Sequence, residues 1–390
     1  MKLLSSLAVI LGFTTLAPAQ IPTFQDNLAA SSATAVAYLK SKQAENGSWG
    51  DGPNAAGMTG IVVTGLIKGG NLTADDPAVA KALKYIESLI DSKEGHIAGP
   101  QAKAGQFNYP TCANLLALVA ADPEGKKYRT VIDSAAKCLI KYQWDEGEGK
   151  KPSDVVYGGA GYGGGSRPDL SNTQFFLDAL LAARVPSSDP AFRKAAVFVS
   201  RCQNFKSEYQ DQPWAATIND GSFIYTATGE TRGGTNDDGT KPGYGSMTYA
   251  GVKCLVVGGV SRDDMRCKKA LEWLAKNYTV DLNPGMPEGS GLRGFYYYLM
   301  SMSRCLEVLG EDQFASSDGK KHDWRREIAT ALMNRQHKDG SWSNDIGNWM
   351  EADPVLCTAY SLVTLGTCRV KKVDIDGPRI RRKYPFETKS

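Results

Sequence analysis

The feature that most constrains this chain is internal repetition. Six times it writes an amphipathic helix, a polar Gly-rich loop, and a second helix that is apolar on nearly every side. The first unit runs LAASSATAVAYLKSKQ, then AENGSWGDGPNAAG, then MTGIVVTGLIKGG. The next five open at Asp75-Asp76-Pro77, near Tyr128, at Asp189-Pro190, at Asp263-Asp264 and near His322. Their second helices read TCANLLALVAAD, NTQFFLDALLAARV, MTYAGVKCLVVGGV, FYYYLMSMSRCLEVLG and VLCTAYSLVTLGTC. A helix without a polar face has to be surrounded by protein, whereas a one-faced helix can meet water. In unit five, Met265, Leu271, Leu274 and Tyr278 are read as that single inward stripe.

Six buried helices ringed by six amphipathic ones predict an all-α fold, an (α/α)6 toroid. An open solenoid would need polar end caps, and unit six is as apolar as the middle ones. Units three and four carry long Gly-rich loops. They contain Tyr157, Tyr162, Trp214, Phe223, Tyr225 and Tyr244, so packed loops are expected, with a small β-hairpin around Gly221 to Tyr225.

Residues 1–19, MKLLSSLAVILGFTTLAPA, read as a signal peptide. Lys2 supplies the positive region, the apolar run is too short to span a bilayer, and Ala17-Pro18-Ala19 gives an A-x-A site. No later apolar run reaches about 18 residues, so no transmembrane anchor is expected. The expected organisation is a leader at 1–19, a toroid at 20–370 and a basic tail at 371–390, in an exported protein. The eight cysteines lie inside apolar helical patterns and are read mostly as buried free thiols. Net charge is +3, which gives no broad field for nucleic acid. The three histidines, His96, His322 and His337, leave little material for His-based chemistry, and no cofactor or metal is called for.

Gln43-Ala44-Glu45-Asn46-Gly47-Ser48-Trp49 and Gln336-His337-Lys338-Asp339-Gly340-Ser341-Trp342 match a Q-x-x-x-G-S-W repeat. Gln143 and Gln203 look like degraded copies. With these motifs the chain resembles the prenyltransferase/squalene-hopene cyclase repeat superfamily over about residues 28–368. It is similar in particular to exported, single-toroid members of planctomycete type. The resemblance implies an α/α-toroid with a ligand cavity at its centre. The repeat itself reads as structural: the Gln amide can bond backbone at a helix end, and Gln43, Trp49, Gln336 and Trp342 would staple outer helices together.

The catalytic signatures of that superfamily are missing. D-x-D-D, which would protonate an alkene, is absent; Thr235-Asn236-Asp237-Asp238 and Asp374-Ile375-Asp376-Gly377 fall short of it. The Asp pairs before helices read as caps. Three zinc ligands do not converge: Cys357 stands near the family's His position, and Arg293-Gly294-Phe295-Tyr296 where Asp-x-Cys would be. Gly159 to Gly164 fits G-x-G-x-x-G but lacks the strand and helix that a nucleotide loop needs.

In a toroid the inner-helix N-termini converge on one end of the cavity, so residues leading those helices are the candidates. For ligand binding they are Asp51, Tyr109, Arg167, Asn172, Tyr249, Arg293, Tyr296, Tyr297 and Trp349; for catalysis, Asp169 and Asp353. Aromatics with few charges suit an apolar, isoprenoid or lipid-like small molecule with one polar group. Two readings stand beside a ligand-binding, diverged terpene cyclase: a non-catalytic cell-envelope scaffold, and a carbohydrate-active α/α-barrel. The leader makes a direct prediction. Mass spectrometry of the exported protein should find Gln20 at the N-terminus, and retention of Met1 would refute it.

Overall fold

The computed structural model describes residues 22–163 and 165–369. The segments read from sequence as a leader and a basic tail lie outside the described residues. Six helix pairs follow one another: α1 (Phe24–Ser41) and α2 (Ala55–Lys68), α3 (Pro77–Ser88) and α4 (Asn108–Ala121), α5 (Arg129–Lys141) and α6 (Leu170–Ala182). Then come α7 (Pro190–Arg201), a single turn α8 (Ala215–Ile218) and α9 (Gly245–Val257), α10 (Met265–Lys276) and α11 (Phe295–Leu309), and α12 (Trp324–Met333) and α13 (Pro354–Cys368). The second helices pack in the order α2, α4, α6, α9, α11, α13 and back to α2. The inner ring is therefore closed, and the fold is the all-α (α/α)6 toroid. The outer helices lie against it, with α1 packed on α13 and α12 at the join between last and first units.

Local chemistry sets the helix starts. Asp76, Asp189, Asp264 and Asp323 each cap an outer helix by accepting a backbone N–H of its first turn. Thr23 and Asp26 form a reciprocal capping box on α1. In Asp75-Asp76 and Asp263-Asp264 the second Asp is thus the cap, whereas Asp238 of Asp237-Asp238 accepts from Thr240 in a loop turn and caps no helix.

The repeat motif is a clamp between neighbouring units. Gln43 Nε2 donates to Gly47 O in its own loop (3.0 Å) and to Ala78 O on the next outer helix (2.9 Å). Gln336 Nε2 does the same with Gly340 O and Ser31 O, both at 2.9 Å, so the last unit grips the first. Gln143 joins Gly158 O to Ala191 O, and Gln203 joins Gly221 O to Arg266 O. The copies that look degraded in sequence keep the full geometry. The motif glycine serves the same contact: at Gly340 (φ +89°) a Cβ would stand 2.4 Å from Thr34 O on α1. Trp49 and Trp342 are fully buried. Their Nε1–H groups donate to Leu39 O and Leu332 O, and their backbone N–H groups to Thr59 and Thr358. These bonds of each Trp tie the outer to the inner helix of its own unit, where the sequence had suggested a staple from one outer helix to the next.

Some sequence expectations need correction. Met265 is exposed, because the inward stripe of α10 is Cys267, Ala270 and Leu274; the phase starts two residues later. No hairpin forms at 221–225, where Phe223 makes only an isolated bridge to Gln203. The two-stranded piece is instead β1 (Phe314–Ala315) with β2 (Lys321–His322), ahead of α12. All eight cysteines are buried and unpaired.

Truncating the staples should loosen the ring. Trp49→Ala and Trp342→Ala should each cost about 3–5 kcal/mol in urea unfolding, the range for large aromatics in packed sites. Gln336→Ala should cost about 1–3 kcal/mol by stranding carbonyls at the join. Hydrogen exchange in that variant should rise in α1 and α12 before α6 and α9. Wild-type stability in these three variants would refute the clamp.

Candidate functional site

The inner-helix N-termini surround a cavity of about 340 Å3 at one end of the toroid. Met58, Ile61, Met247, Leu356 and Trp349 give it apolar walls. Polar groups enter from Ser171, Ser246, Tyr162, Tyr225, Arg232 and Glu351. Arg232 lies over the Tyr225 ring, 4.9 Å from its centre, and contributes the cavity's positive charge.

Its floor is a layer of tyrosines. Tyr109 on α4 and Tyr360 on α13 meet hydroxyl to hydroxyl at 3.2 Å, although α2 separates their helices around the ring. Tyr297 on α11 reaches α6, where its hydroxyl meets Ser171 Oγ (2.8 Å) and accepts from Gln174 Nε2 (2.9 Å). The Tyr297 and Tyr360 rings meet edge to face at 6.0 Å. Burial pushes all three phenols well above the ordinary tyrosine range, so they stay neutral donors and acceptors.

Two buried carboxyls sit at this end. Asp169 caps α6, with Oδ1 accepting Asn172 N–H and Oδ2 accepting Asn172 Nδ2, both at 2.8 Å. Burial raises it to about 6 against the pull of those bonds. Glu351 lines the cavity and is only 1% exposed. Its Oε1 accepts the Tyr297 backbone N–H at 2.8 Å and its Oε2 accepts Asn344 Nδ2 at 2.8 Å. Gly294 leads α11 without a side chain to cap it, so Glu351 supplies that cap from the neighbouring unit. Burial raises Glu351 to about 7. The two residues before it, Trp349 (φ 57°) and Met350 (φ 66°), are in the left-handed region, a strain of about 1–3 kcal/mol each. The Trp349 ring lies against Gly294, where there is no room for a side chain.

Of the sequence candidates, Tyr109, Tyr297 and Trp349 line the cavity. Asn172 stands behind it, holding Asp169. The others do not line it. Asp353 is the N-cap of α13, spent on Val355 N–H at 2.8 Å. Asp51 is exposed, and Arg167 pairs with Glu230. Tyr249 is buried against Tyr298, and the Tyr296 hydroxyl donates to Ser343 O. Arg293 is half-buried, and its carbonyl accepts from Asn283. Leading an inner helix is thus too coarse a criterion, since a leading side chain can equally turn outward to the next unit. Sequence reasoning missed Glu351 and Tyr360. Glu351 had one signal, an acid just ahead of the Asp353-Pro354 helix start. Tyr360 lies two turns inside an apolar helix and had none. Among the described residues no group of three His, Cys, Asp or Glu could hold a metal ion.

No family model matches the chain, and no curated protein does. Solved structures do. A variant of the type II terpene cyclase MstE from Scytonema, in complex with geranylgeranyl dihydroxybenzoate, superposes with a TM-score of 0.55 at 13% identity. The match covers 88% of this chain and 98% of that one. Another MstE variant, in complex with its product merosterolic acid A, gives 0.50 at 15% identity, covering 88% and 97%. The architecture is shared: the chain has the fold of the type II terpene cyclases.

Proposed function

We propose that the protein holds an isoprenoid-like ligand, largely apolar with one polar end, in the tyrosine-floored cavity. The observation that carries this is the cavity itself: apolar walls, neutral hydroxyls across the floor, and a single cation and a single carboxyl in its lining. Such a lining rewards burial of hydrocarbon and orients one polar group. The fold neighbours named above were solved with isoprenoid-derived molecules, which supports the same ligand class here. With the leader at 1–19, binding would take place outside the cytoplasm. The cyclase reading has one observation in its favour, a lining carboxyl raised to about 7, but both Glu351 oxygens already accept hydrogen bonds. Binding without cyclisation is therefore the reading adopted.

Farnesol titrated into the protein should bind with a micromolar Kd by calorimetry. Trp349→Ala and Met247→Trp, one removing a wall and the other filling the cavity, should each weaken it about tenfold or more. Unchanged affinity in both variants would refute the site.

The strap Trp349–Glu351 closes one side of the cavity, and its anchor is titratable. A carboxyl raised from 4.5 to about 7 by folding binds its proton more tightly in the native state. Native stability from this group is complete below about pH 4.5 and falls as pH rises through 7. In Glu351→Gln that loss is gone. The variant's stability relative to wild type should therefore improve between pH 5 and pH 8.5, by up to about 3 kcal/mol. A constant difference across that range, in urea melts at each pH, would refute the assignment.

A further inference from the structure

Below the tyrosine floor the lumen opens again. A second chamber of about 350 Å3 occupies the opposite end of the toroid, and it shares only Ile61 and Tyr360 with the first. Its inner end is apolar, built from Ile61, Ala113, Leu116, Phe175 and Met300 beneath Tyr360. Its mouth is polar, with Lys68, Arg304, Glu307 and Thr367 near the C-terminal ends of α2, α11 and α13. Along α2 the distance from Ile61 to Lys68 is about 10 Å. The chamber thus grades from hydrocarbon at the bottom to charge at the rim.

Behind the wall lies a buried charge cluster that the first cavity does not use. Asp178 Oδ2 is shared by two cations, Lys253 Nζ at 2.7 Å and Arg304 Nη1 at 3.0 Å. Lys253 is 1% exposed and Asp178 8%. Burial works against the Asp178 charge, yet Arg304 and Lys253 hold its carboxyl below the usual range. Burial also lowers Lys253, with Asp178 opposing. At the rim stand Lys68, whose charge also acts on Asp178, and Glu307, so the charges around the chamber sum to one positive in excess. Inside, two cations face one carboxylate, leaving one positive charge in excess in a poorly hydrated place. A buried charge without a full counter-charge is costly, and a second anion would offset it. Arg304 is both a member of the cluster and part of the chamber wall, with guanidinium donors beyond the one on Asp178.

We propose that this lower chamber is a second binding site, for an anionic amphiphile that enters tail first and sets a carboxylate or phosphate head on Arg304. The tail lies along Ile61, Leu116, Phe175 and Met300, under the tyrosine floor. The head takes the role of the missing counter-charge to Lys253 and Arg304. The site is distinct from the upper cavity, with which it shares only Ile61 and Tyr360.

Octanoate, octyl phosphate and octanol, titrated separately by calorimetry, test this. Both anions should bind at least about tenfold tighter than the alcohol. A preference for one anion identifies which head the site takes. Arg304→Gln should abolish the preference for anions; Lys253 still pairs Asp178 in that variant, so the fold is retained. Thr367→Glu, which adds a like charge at the half-buried rim without touching the cluster, should weaken both anions about tenfold. Saturating farnesol should leave octanoate affinity unchanged. The proposal falls if the anions bind no tighter than octanol, if the preference survives both substitutions, or if farnesol displaces octanoate. In that last case one continuous lumen would serve both ligands.

Discussion

Four of the six joints in this ring depend on a side-chain amide that satisfies two carbonyls belonging to different units. A helix pair of this kind cannot bury its apolar inner helix alone, and only neighbours on both sides can cover it. The Gln amide fixes the spacing between neighbours by bonding its own loop and the next outer helix at once. Where the loop touches that helix, a left-handed glycine lets backbone meet backbone. At Gln336 the same device spans the chain from end to end, bonding Ser31. The solenoid is thereby turned into a ring, and the ring into a container.

The lumen is divided by hydroxyl chemistry across its middle. Tyr109, Tyr297 and Tyr360 stay neutral because burial makes their ionisation costly, so each reaches past an intervening inner helix without bringing charge into the lumen. Charge is kept to the two ends. At the upper end Glu351 caps a helix that begins on glycine. At the lower end Asp178 balances two cations incompletely. The two compartments therefore differ in lining: apolar walls with one cation and one carboxyl above, an apolar end grading to a charged rim below.

The repeat architecture was readable because it is written in local terms. Period, caps and the Q-x-x-x-G-S-W segments each depend on a few neighbouring residues, and the clamp at Gln143 and Gln203 survives even where its motif has decayed. The fold class and the cavity's end of the ring followed directly. Individual site residues did not, because facing the lumen is decided by a rotation of each helix that sequence constrains weakly. Tyr109 and Tyr297 turn inward, while Tyr249 and Tyr296, which also lead inner helices, pack toward neighbouring units. Asp353 looked like an acid at a cavity and is a cap. Glu351 looked like a loop residue and is the carboxyl in the lining, because its role depends on a helix beginning more than fifty residues earlier. The two-residue phase error at Met265 has the same origin: propensity locates a helix better than it orients one.

The clamp is not found at every joint. At the equivalent positions Ile90 follows α3 and Tyr278 follows α10, and neither is a glutamine. Those joints are held by other means, such as the Tyr278 hydroxyl on Glu327 and the Lys127 ammonium on Glu87. In a ring of six these two joints lie on one diameter. The molecule is thus two glutamine-stapled arcs of three units, one containing α5 to α11 and the other α12 through α1 to α4, joined to each other by tyrosine hydroxyls and ion pairs. A two-fold pattern of staples thus overlies the six-fold pattern of helices, and one diameter of the ring is marked by where the glutamines are not.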